Sequence, residues 1–323
     1  MGVIAIQYHT ANDSPLLVAL NREEHFSRPS QAPRIQSGRP RVVCGIDRQA
    51  GGTWAGVNQH GLFVAVVNCP KRSTPPEPRS RGLLCRELLA ATNAEEALEK
   101  AFQELSTGCY AGGNFLCVDR FTGGIAYGRD EVEIERLQPG LHLLTANRLN
   151  DYNDPRQEFV RRLLTLQRLD SAVSFLAVAS RTFSRKPDEY GKRGIVISEP
   201  DFGTVSSMLL SLTERTQRSI MQYAAGPPNE KPFEDVSALL RQVLSTDRAN
   251  RAAAAAKEAA AAAKEAAAAA SVKTVKPVTL GDAPNAAKEA AAAKSAKSGT
   301  YQTFESLAAA AKEAADAASA ATT

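Results

Sequence analysis

Long apolar runs, paired cysteines and a strong excess of one charge are all missing from this sequence of 323 residues. Outside the alanine-rich C-terminal part, no uncharged apolar run reaches the length of about 18 residues that a membrane span needs. The N-terminus, Met1 to Ile6, lacks the basic residues and the length of a secretory signal. A net charge of +4 is too small to indicate a nucleic-acid partner. We therefore expect a cytoplasmic protein with no transmembrane segment and no bound nucleic acid.

Cysteine and histidine, which often bind metals or cofactors, are also scarce. The five cysteines are odd in number and show no paired spacing, which is typical of reduced thiols in the cytoplasm. The sequence has four histidines and no Cys-x-x-Cys-His motif, so this criterion excludes covalently attached haem. We predict no metal site.

Alanine dominates the C-terminal part of the chain. Residues Ala252 to Ala270 are only Ala, Lys and Glu, which are strong helix formers but include no large apolar side chain for a core. We therefore divide the chain at residue 248. Residues 1–248 form the globular domain, and 249–323 form a low-complexity tail, helical or disordered, that acts as a tether or docks on a protein partner.

Short apolar strands and helices alternate through the globular part. It opens with a predicted hairpin, Val3–Tyr8 and Leu16–Leu20. A second hairpin, two helices, four strands, two helices, further strands including Ile195–Ile197 and a last helix follow. Three prolines predict an irregular loop over 29–40. Two sheets packed face to face, with helices on both outer sides, would bury this pattern. We therefore predict an α+β fold, a four-layer αββα sandwich.

One polar stretch directly follows an apolar strand of the first hairpin. Asn21-Arg22-Glu23-Glu24 supplies an amide, a guanidinium and two carboxylates at one strand end, and His25 and Arg28 come soon after. Charges at the end of a buried sheet are unfavourable unless they pair or meet a ligand. From these residues alone, a solvated strand end and a binding site both remain open.

Further motifs follow this stretch in a fixed order: Asn21 to Pro29, Ala50 to Asn58, Val66 to Asn68 and Ser80 to Gly82. As an ordered set they resemble the NRDE family, also called the transport and Golgi organisation 2 family, over roughly residues 2 to 245. Its members carry Asn-Arg-Asp-Glu, Arg-Pro, Gly-Gly-Thr-Trp-Leu-Gly, Thr-Asn and Ser-Arg-Gly. Glu23, Ala55 and Val67 depart from that pattern, as does Gly2, where the family usually has Cys.

The resemblance implies an N-terminal nucleophile hydrolase-like fold. In such enzymes the residue after the initiator Met attacks an amide, with its side chain as nucleophile and its own α-amino group as base. Gly2 offers an amine but no nucleophile. We therefore assign no catalytic residue and disfavour an amidohydrolase acting on C–N amide bonds, which stays the alternative. Cys69 is an unsuitable substitute, because it faces away from its strand neighbour Asn68.

Relatives in this family are linked to mobilising haem and to lipid homeostasis. The resemblance therefore implies a protein that binds and hands over a hydrophobic anionic ligand, such as haem or an acyl compound, without catalysis. His25 is the candidate axial ligand, and Arg28 is a candidate partner for propionates or phosphates. Asn68 takes the place of an oxyanion-hole Asn. We assign the ligand-binding role to Gly2, Asn21, Arg22, Glu23, Glu24, His25, Arg28, Trp54, Asn68 and Asn147.

Two further points remain open. Either Ala146 or Asn147 matches the family's second Asn. As another alternative to ligand handling, the domain is an interaction scaffold that the alanine-rich tail delivers to a partner.

Overall fold

The computed structural model describes residues 2–187 and 194–245, together with Ala262. The predicted boundary at residue 248 lies outside these residues, as does the alanine-rich tail apart from Ala262. Within the described ranges, no helix combines the length and the apolar character required to cross a membrane.

Two antiparallel sheets form the centre of the domain. The first has the spatial order β10-β1-β2-β11-β12-β13, with bounds β1 Gly2–Tyr8, β2 Leu16–His25, β10 Gly140–Leu144, β11 Phe202–Leu212, β12 Ile220–Ala224 and β13 Glu234–Asp235. The second runs β3 to β9 in chain order, with bounds β3 Ser30–Gln36, β4 Val42–Asp47, β5 Ala55–Asn58, β6 Phe63–Asn68, β7 Gly113–Val118, β8 Gly123–Gly128 and β9 Val132–Arg136.

Four helices with polar caps cover the outer faces. Their bounds are α1 Arg81–Leu88, α2 Ala94–Ser106, α3 Pro155–Leu164 and α4 Ala172–Phe183. Each begins after a residue whose side chain accepts a backbone N–H of the first turn, namely Ser80, Asn93, Asp154 and Ser171. A fifth helix, α5, is described over 237–245.

Three apolar layers show how the elements stack. The central layer joins the inner faces of both sheets, for example through Ile6 and Val18 on one side and Phe63 and Val67 on the other. A second layer joins the second sheet to α1 and α2, and a third joins the first sheet to α3 and α4. The order is therefore helices, sheet, sheet, helices, which confirms the predicted α+β, αββα sandwich.

Two local predictions were wrong. The stretch 29–40 contains β3, an edge strand that pairs only with β4. Its Pro33 falls where the register shifts between Gln31 and Arg34, so the missing N–H of proline interrupts no ladder bond. Ile195–Ile197 is not a strand, because the N–H groups of Ile195 and Val196 both donate to the carbonyl of Arg185.

The loop before β5 and the first turn of α1 touch directly through their backbone atoms. The N–H of Thr53 donates to the Gly82 carbonyl at 2.9 Å. A Cβ on Gly52 would lie 2.2 Å from the carbonyl carbon of Gly82. Two of the sequence motifs, Gly51-Gly52-Thr53-Trp54 and Ser80-Arg81-Gly82, therefore meet in space, and the contact sets where α1 begins.

This contact predicts unequal effects for two similar substitutions. Gly52→Ala should lower the free energy of unfolding by about 2–3 kcal/mol, because its methyl group overlaps the backbone of α1. Gly82→Ala should stay within about 1 kcal/mol of the parent, since its Cβ meets the Thr53 carbonyl at 3.3 Å and alanine favours the helix. Urea unfolding of both variants tests this, and equal losses would contradict it.

Candidate functional site

A cavity of about 290 Å³ lies between the two sheets, at the end of the sandwich where β1 begins and where β2 and β6 end. Its apolar wall continues the central layer through Ile4, Leu20, Ala65 and Val67. Its polar lining comes from the ends of β2, β4 and β6 and from the first turn of α1. The cavity therefore combines an apolar interior with charged groups.

Alternation along β2 divides the predicted polar stretch between two environments. Leu20 belongs to the central layer, so Arg22, two residues on, faces the cavity. Its guanidinium carbon lies 4.2 Å from the ring centroid of Trp54. Asn21 points the other way and donates through Nδ2 to the Phe183 carbonyl at the end of α4, at 3.0 Å. The side chain of Asn21 therefore supports the site from behind, although the residue lines the cavity.

Glu23 also faces the helices. Its side chain is fully buried and forms an ion pair with Arg156 of α3, whose Nη2 also donates to the Ile195 carbonyl at 2.6 Å. This pair connects α3 to the end of β2. The Glu23 carboxylate therefore pairs with a helix, as the same alternation explains, and its predicted contact with a ligand stays a prediction.

The Arg22 guanidinium already has several partners within the protein. Its Nη1 donates to the Ser30 hydroxyl at 3.2 Å, and its Nη2 lies 3.7 Å from the Glu24 carboxylate. Burial lowers the pKa of Arg22, and the neighbouring Glu24 partly offsets that shift. The stacking on Trp54 adds a cation–π contact. These contacts hold the guanidinium against the indole.

Arg28 and Asp47 form a bidentate pair beside Arg22. Arg28 donates through Nε to Oδ1 at 3.2 Å and through Nη2 to Oδ2 at 2.7 Å. The hydrogen bond to Asp47 raises the pKa of Arg28. Burial alone would raise the pKa of Asp47, but hydrogen bonds from Arg28 and from the Gln49 N–H bring it below its ordinary value. Asp47 therefore stays ionised in the folded protein.

Gly2 lies at the start of β1, opposite Arg22 in the sheet register. It shares the parity of Ile4 and so faces the second sheet. A Cβ built there would lie 3.2 Å from the Asn21 carbonyl oxygen and 3.8 Å from the nearest Val67 methyl carbon. A small side chain at position 2 would therefore enter the cavity with little displacement of its neighbours.

Trp54 forms a wall shared by the cavity and the central layer. Its six-membered ring lies against Gly45, where any Cβ would come within 2.3 Å of the indole. The side chain is only 8% exposed. Its Nε1–H finds no acceptor among the described residues.

The structure brings most of the predicted site residues to this cavity, and the lining includes Gly2, Asn21, Arg22, Glu23, Glu24, Arg28, Trp54 and Asn68. His25 and Asn147 are not among the lining residues. His25 is exposed, with its ring 5.3 Å from that of Phe202. Asn147 donates to Asp154 at 3.1 Å. His25 points away from the cavity because side chains alternate along β2. Asn147 lies in the turn after β10, outside the cavity.

The sequence reasoning missed several lining residues. Asp47 carried no local signal, because it reaches Arg28 only through the antiparallel pairing of β3 with β4, which places Asp47 opposite Ser30. Ser80, Arg81 and Gly82 were noted as a motif without a place in the site, yet all three line the cavity. The sequence did carry one signal for these three residues. Ser80-Arg81-Gly82 occurs together with Gly51-Gly52-Thr53-Trp54, and the two motifs meet in the structure.

Cys69 is buried and does not line the cavity. Burial raises the pKa of its thiol, which lowers the thiolate fraction and its nucleophilicity. Among the described residues, no group of three His, Cys, Asp or Glu side chains is arranged to hold a metal ion.

Comparison with known sequences gives this cavity a family context. The profile of the family described as Transport and Golgi organisation 2 matches residues 1–222. The chain is similar to the mouse Transport and Golgi organization 2 homolog, with 31% identity over 139 residues, covering 40% of this chain and 50% of the mouse protein. The human homolog is 29% identical over 111 residues, covering 33% and 40%. The chain spans about half the length of these relatives, or less.

Solved structures with a similar arrangement have low sequence identity. Penicillin V acylase from Agrobacterium tumefaciens is 14% identical with a TM-score of 0.41, covering 69% of this chain and 82% of that one. A mutant conjugated bile acid hydrolase from Clostridium perfringens is 11% identical with a TM-score of 0.42, covering 74% and 93%.

The Arg28–Asp47 pair predicts a pH-dependent contribution to stability. Asp47→Asn should lower the free energy of unfolding by about 2 kcal/mol at neutral pH, because a charge-assisted, bidentate pair is lost. The folded-state pKa of Asp47 is lowered, so this stabilisation is full above the ordinary carboxyl pKa of about 4 and disappears as the pH falls through the folded-state value.

Denaturant unfolding of parent and variant between neutral and acidic pH measures this difference. Glu24→Gln is the matched control, since Glu24 lies 3.7 Å and 4.0 Å from Arg22 and Arg28 and makes looser pairs, worth about 1 kcal/mol or less. A loss for Asp47→Asn that persists unchanged into acid would contradict the assigned ionisation.

Proposed function

The chain belongs to the Transport and Golgi organisation 2 family, and from this premise we propose that its inter-sheet cavity binds and releases a small hydrophobic anion without chemical change. One observation carries the proposal: an apolar cavity between two sheets is lined at the same end by four arginines, Arg22, Arg28, Arg79 and Arg81. Apolar walls suit an alkyl chain, and guanidinium groups suit an acidic head.

The size of the cavity limits the ligand. An apolar cavity of about 150 Å³ holds benzene, so a volume of about 290 Å³ suits a ligand of roughly twice that size. A medium-chain carboxylic acid such as octanoate, with about ten non-hydrogen atoms, matches that volume. Longer acyl compounds would extend out through the charged mouth.

These dimensions favour an acyl compound over haem. A whole porphyrin exceeds this volume, and His25, the predicted axial ligand, lies outside the cavity lining. Arg28, the predicted propionate partner, is engaged by Asp47. Haem therefore takes second place to an acyl compound in this proposal.

Two residues support binding without catalysis. Gly2 faces the cavity and supplies no side-chain nucleophile, and Cys69 has a raised thiol pKa and lies away from the lining. We place this activity in the cytoplasm, because all five cysteines are free thiols, as expected in a reducing compartment. Delivery to a partner through the alanine-rich tail remains part of the proposal.

Blocking the cavity tests the proposal. Ala111 is a partly buried lining residue, so Ala111→Phe should fill the mouth and weaken octanoate binding at least tenfold by calorimetry. Ala11→Phe, at the opposite end of the sandwich, is the matched control and should bind as the parent does. Unchanged unfolding temperatures would show that both variants fold. Equal octanoate affinity in parent and Ala111→Phe would reject the cavity as the binding site.

Amide hydrolysis is the second candidate, and the room for a side chain at Gly2 favours it. In a Cys109→Ser background, which removes the exposed native thiol, Gly2→Cys should react with iodoacetamide, and octanoate should slow that reaction. Labelling rates measured by peptide mass spectrometry test this. Rates that ignore octanoate would place position 2 away from the ligand. Turnover of an N-octanoyl amide by the parent, absent from Ala111→Phe, would favour the hydrolase.

A further inference from the structure

The four arginines around the cavity differ in their counterions. Arg28 is paired bidentately with Asp47. Arg79 donates to the Glu104 carboxylate at 2.7 Å. Arg22 lies near Glu24 and is stacked on the Trp54 ring, as described above. Three of the four guanidinium groups are therefore neutralised or held by protein groups.

Arg81 is the exception. It is half-buried, and no carboxylate of the described residues lies within ion-pair distance of it. Within the described part of the chain, its side chain makes one hydrogen bond, from Nη1 to the Gly112 carbonyl at 2.6 Å. A guanidinium carries five N–H donors, so most of the fork remains for another acceptor. Burying a cation without a counterion is unfavourable, and an anionic ligand would remove that penalty.

The position of Arg81 is fixed by glycines. A Cβ built on Gly113 would lie 3.2 Å from the Cδ of Arg81. The methylene groups of Arg81 therefore pack against backbone that carries no side chain. The hydrogen bond to Gly112 anchors the other end. The backbone of Arg81 is fixed as well, because the Gly52–Gly82 contact holds the first turn of α1, which begins at Arg81. A cation held in this way loses little freedom on binding.

A carboxylate is the head group that suits this fork, because it has two oxygens and accepts several hydrogen bonds. The Nε1–H of Trp54 does not add to the site in this way. It is buried away from the open space of the cavity and has no acceptor among the described residues.

We propose that Arg81 is the specificity-determining residue of this cavity and selects a single carboxylate at the end of an alkyl chain over its neutral amide. This inference rests on the proposed function and assigns the acidic head to Arg81 among the four arginines of the cavity. The alkyl chain lies against Ile4, Leu20 and Val67, and one unpaired cation matches a monoanion.

Calorimetry with octanoate and its neutral isostere octanamide tests the assignment. The parent should prefer octanoate by about tenfold or more, since a charge-assisted contact is involved. Arg81→Gln should lose that preference, with octanoate weakened about tenfold and octanamide unchanged within about twofold. Arg86→Gln, on the same helix but exposed and outside the cavity lining, is the matched control and should keep the preference. Arg81→Lys keeps the charge without the fork and should fall between parent and Arg81→Gln.

The outcomes separate this inference from the proposed function. If Arg81→Gln and Arg81→Lys keep the full octanoate preference while Ala111→Phe loses binding, the cavity is right and Arg81 is the wrong residue. If the parent binds neither octanoate nor octanamide, both the proposed function and this inference are rejected. Unfolding temperatures near that of the parent establish that the Arg81 variants are folded.

Discussion

Burial of both faces of the first sheet is the constraint on which the rest of this structure depends. One face packs on the second sheet and the other on α3 and α4. Each side chain of the central strand β2 is therefore assigned to one of two environments by its parity. Four consecutive polar residues cannot all meet a ligand under this constraint. Arg22 and Glu24 face the cavity, while Asn21 and Glu23 hold α4 and α3 in place.

Charge pairing then decides what the cavity offers to a ligand. Four arginines line this end of the sandwich, but a guanidinium group is available to a ligand only where no protein carboxylate already neutralises it. Asp47, Glu24 and Glu104 engage Arg28, Arg22 and Arg79. The electrostatic character of the site is thus set by what is left unpaired. The sequence lists the charges but does not show this pairing.

Prediction from the sequence succeeded where periodicity carries the information. Alternating strands and apolar helix stripes predicted the αββα order, because burying those stripes leaves few layer arrangements. It failed where an edge tolerates proline, as in β3, and where tertiary contacts place a residue. Asp47 reaches Arg28 across a gap of 19 residues, and no local pattern marks it. His25 was assigned from its neighbours in the chain, although it is the last residue of β2 and its side chain is exposed.

Glycine at position 2 removes the side-chain nucleophile but leaves the shape of the cavity almost unchanged. A Cβ at position 2 would lie 3.2 Å from the Asn21 carbonyl oxygen and 3.8 Å from the nearest Val67 methyl carbon. A small side chain there therefore needs only a slight shift of its neighbours and leaves the strand and its register intact. The supports of the cavity come from elsewhere: the Trp54 wall, the Arg28–Asp47 pair and the glycine contact that sets α1. None of these depends on a nucleophile at position 2. A fold of this kind therefore keeps a shaped, charged cavity whether or not it carries out a reaction, and this physical independence is why ligand binding alone is a coherent function for it.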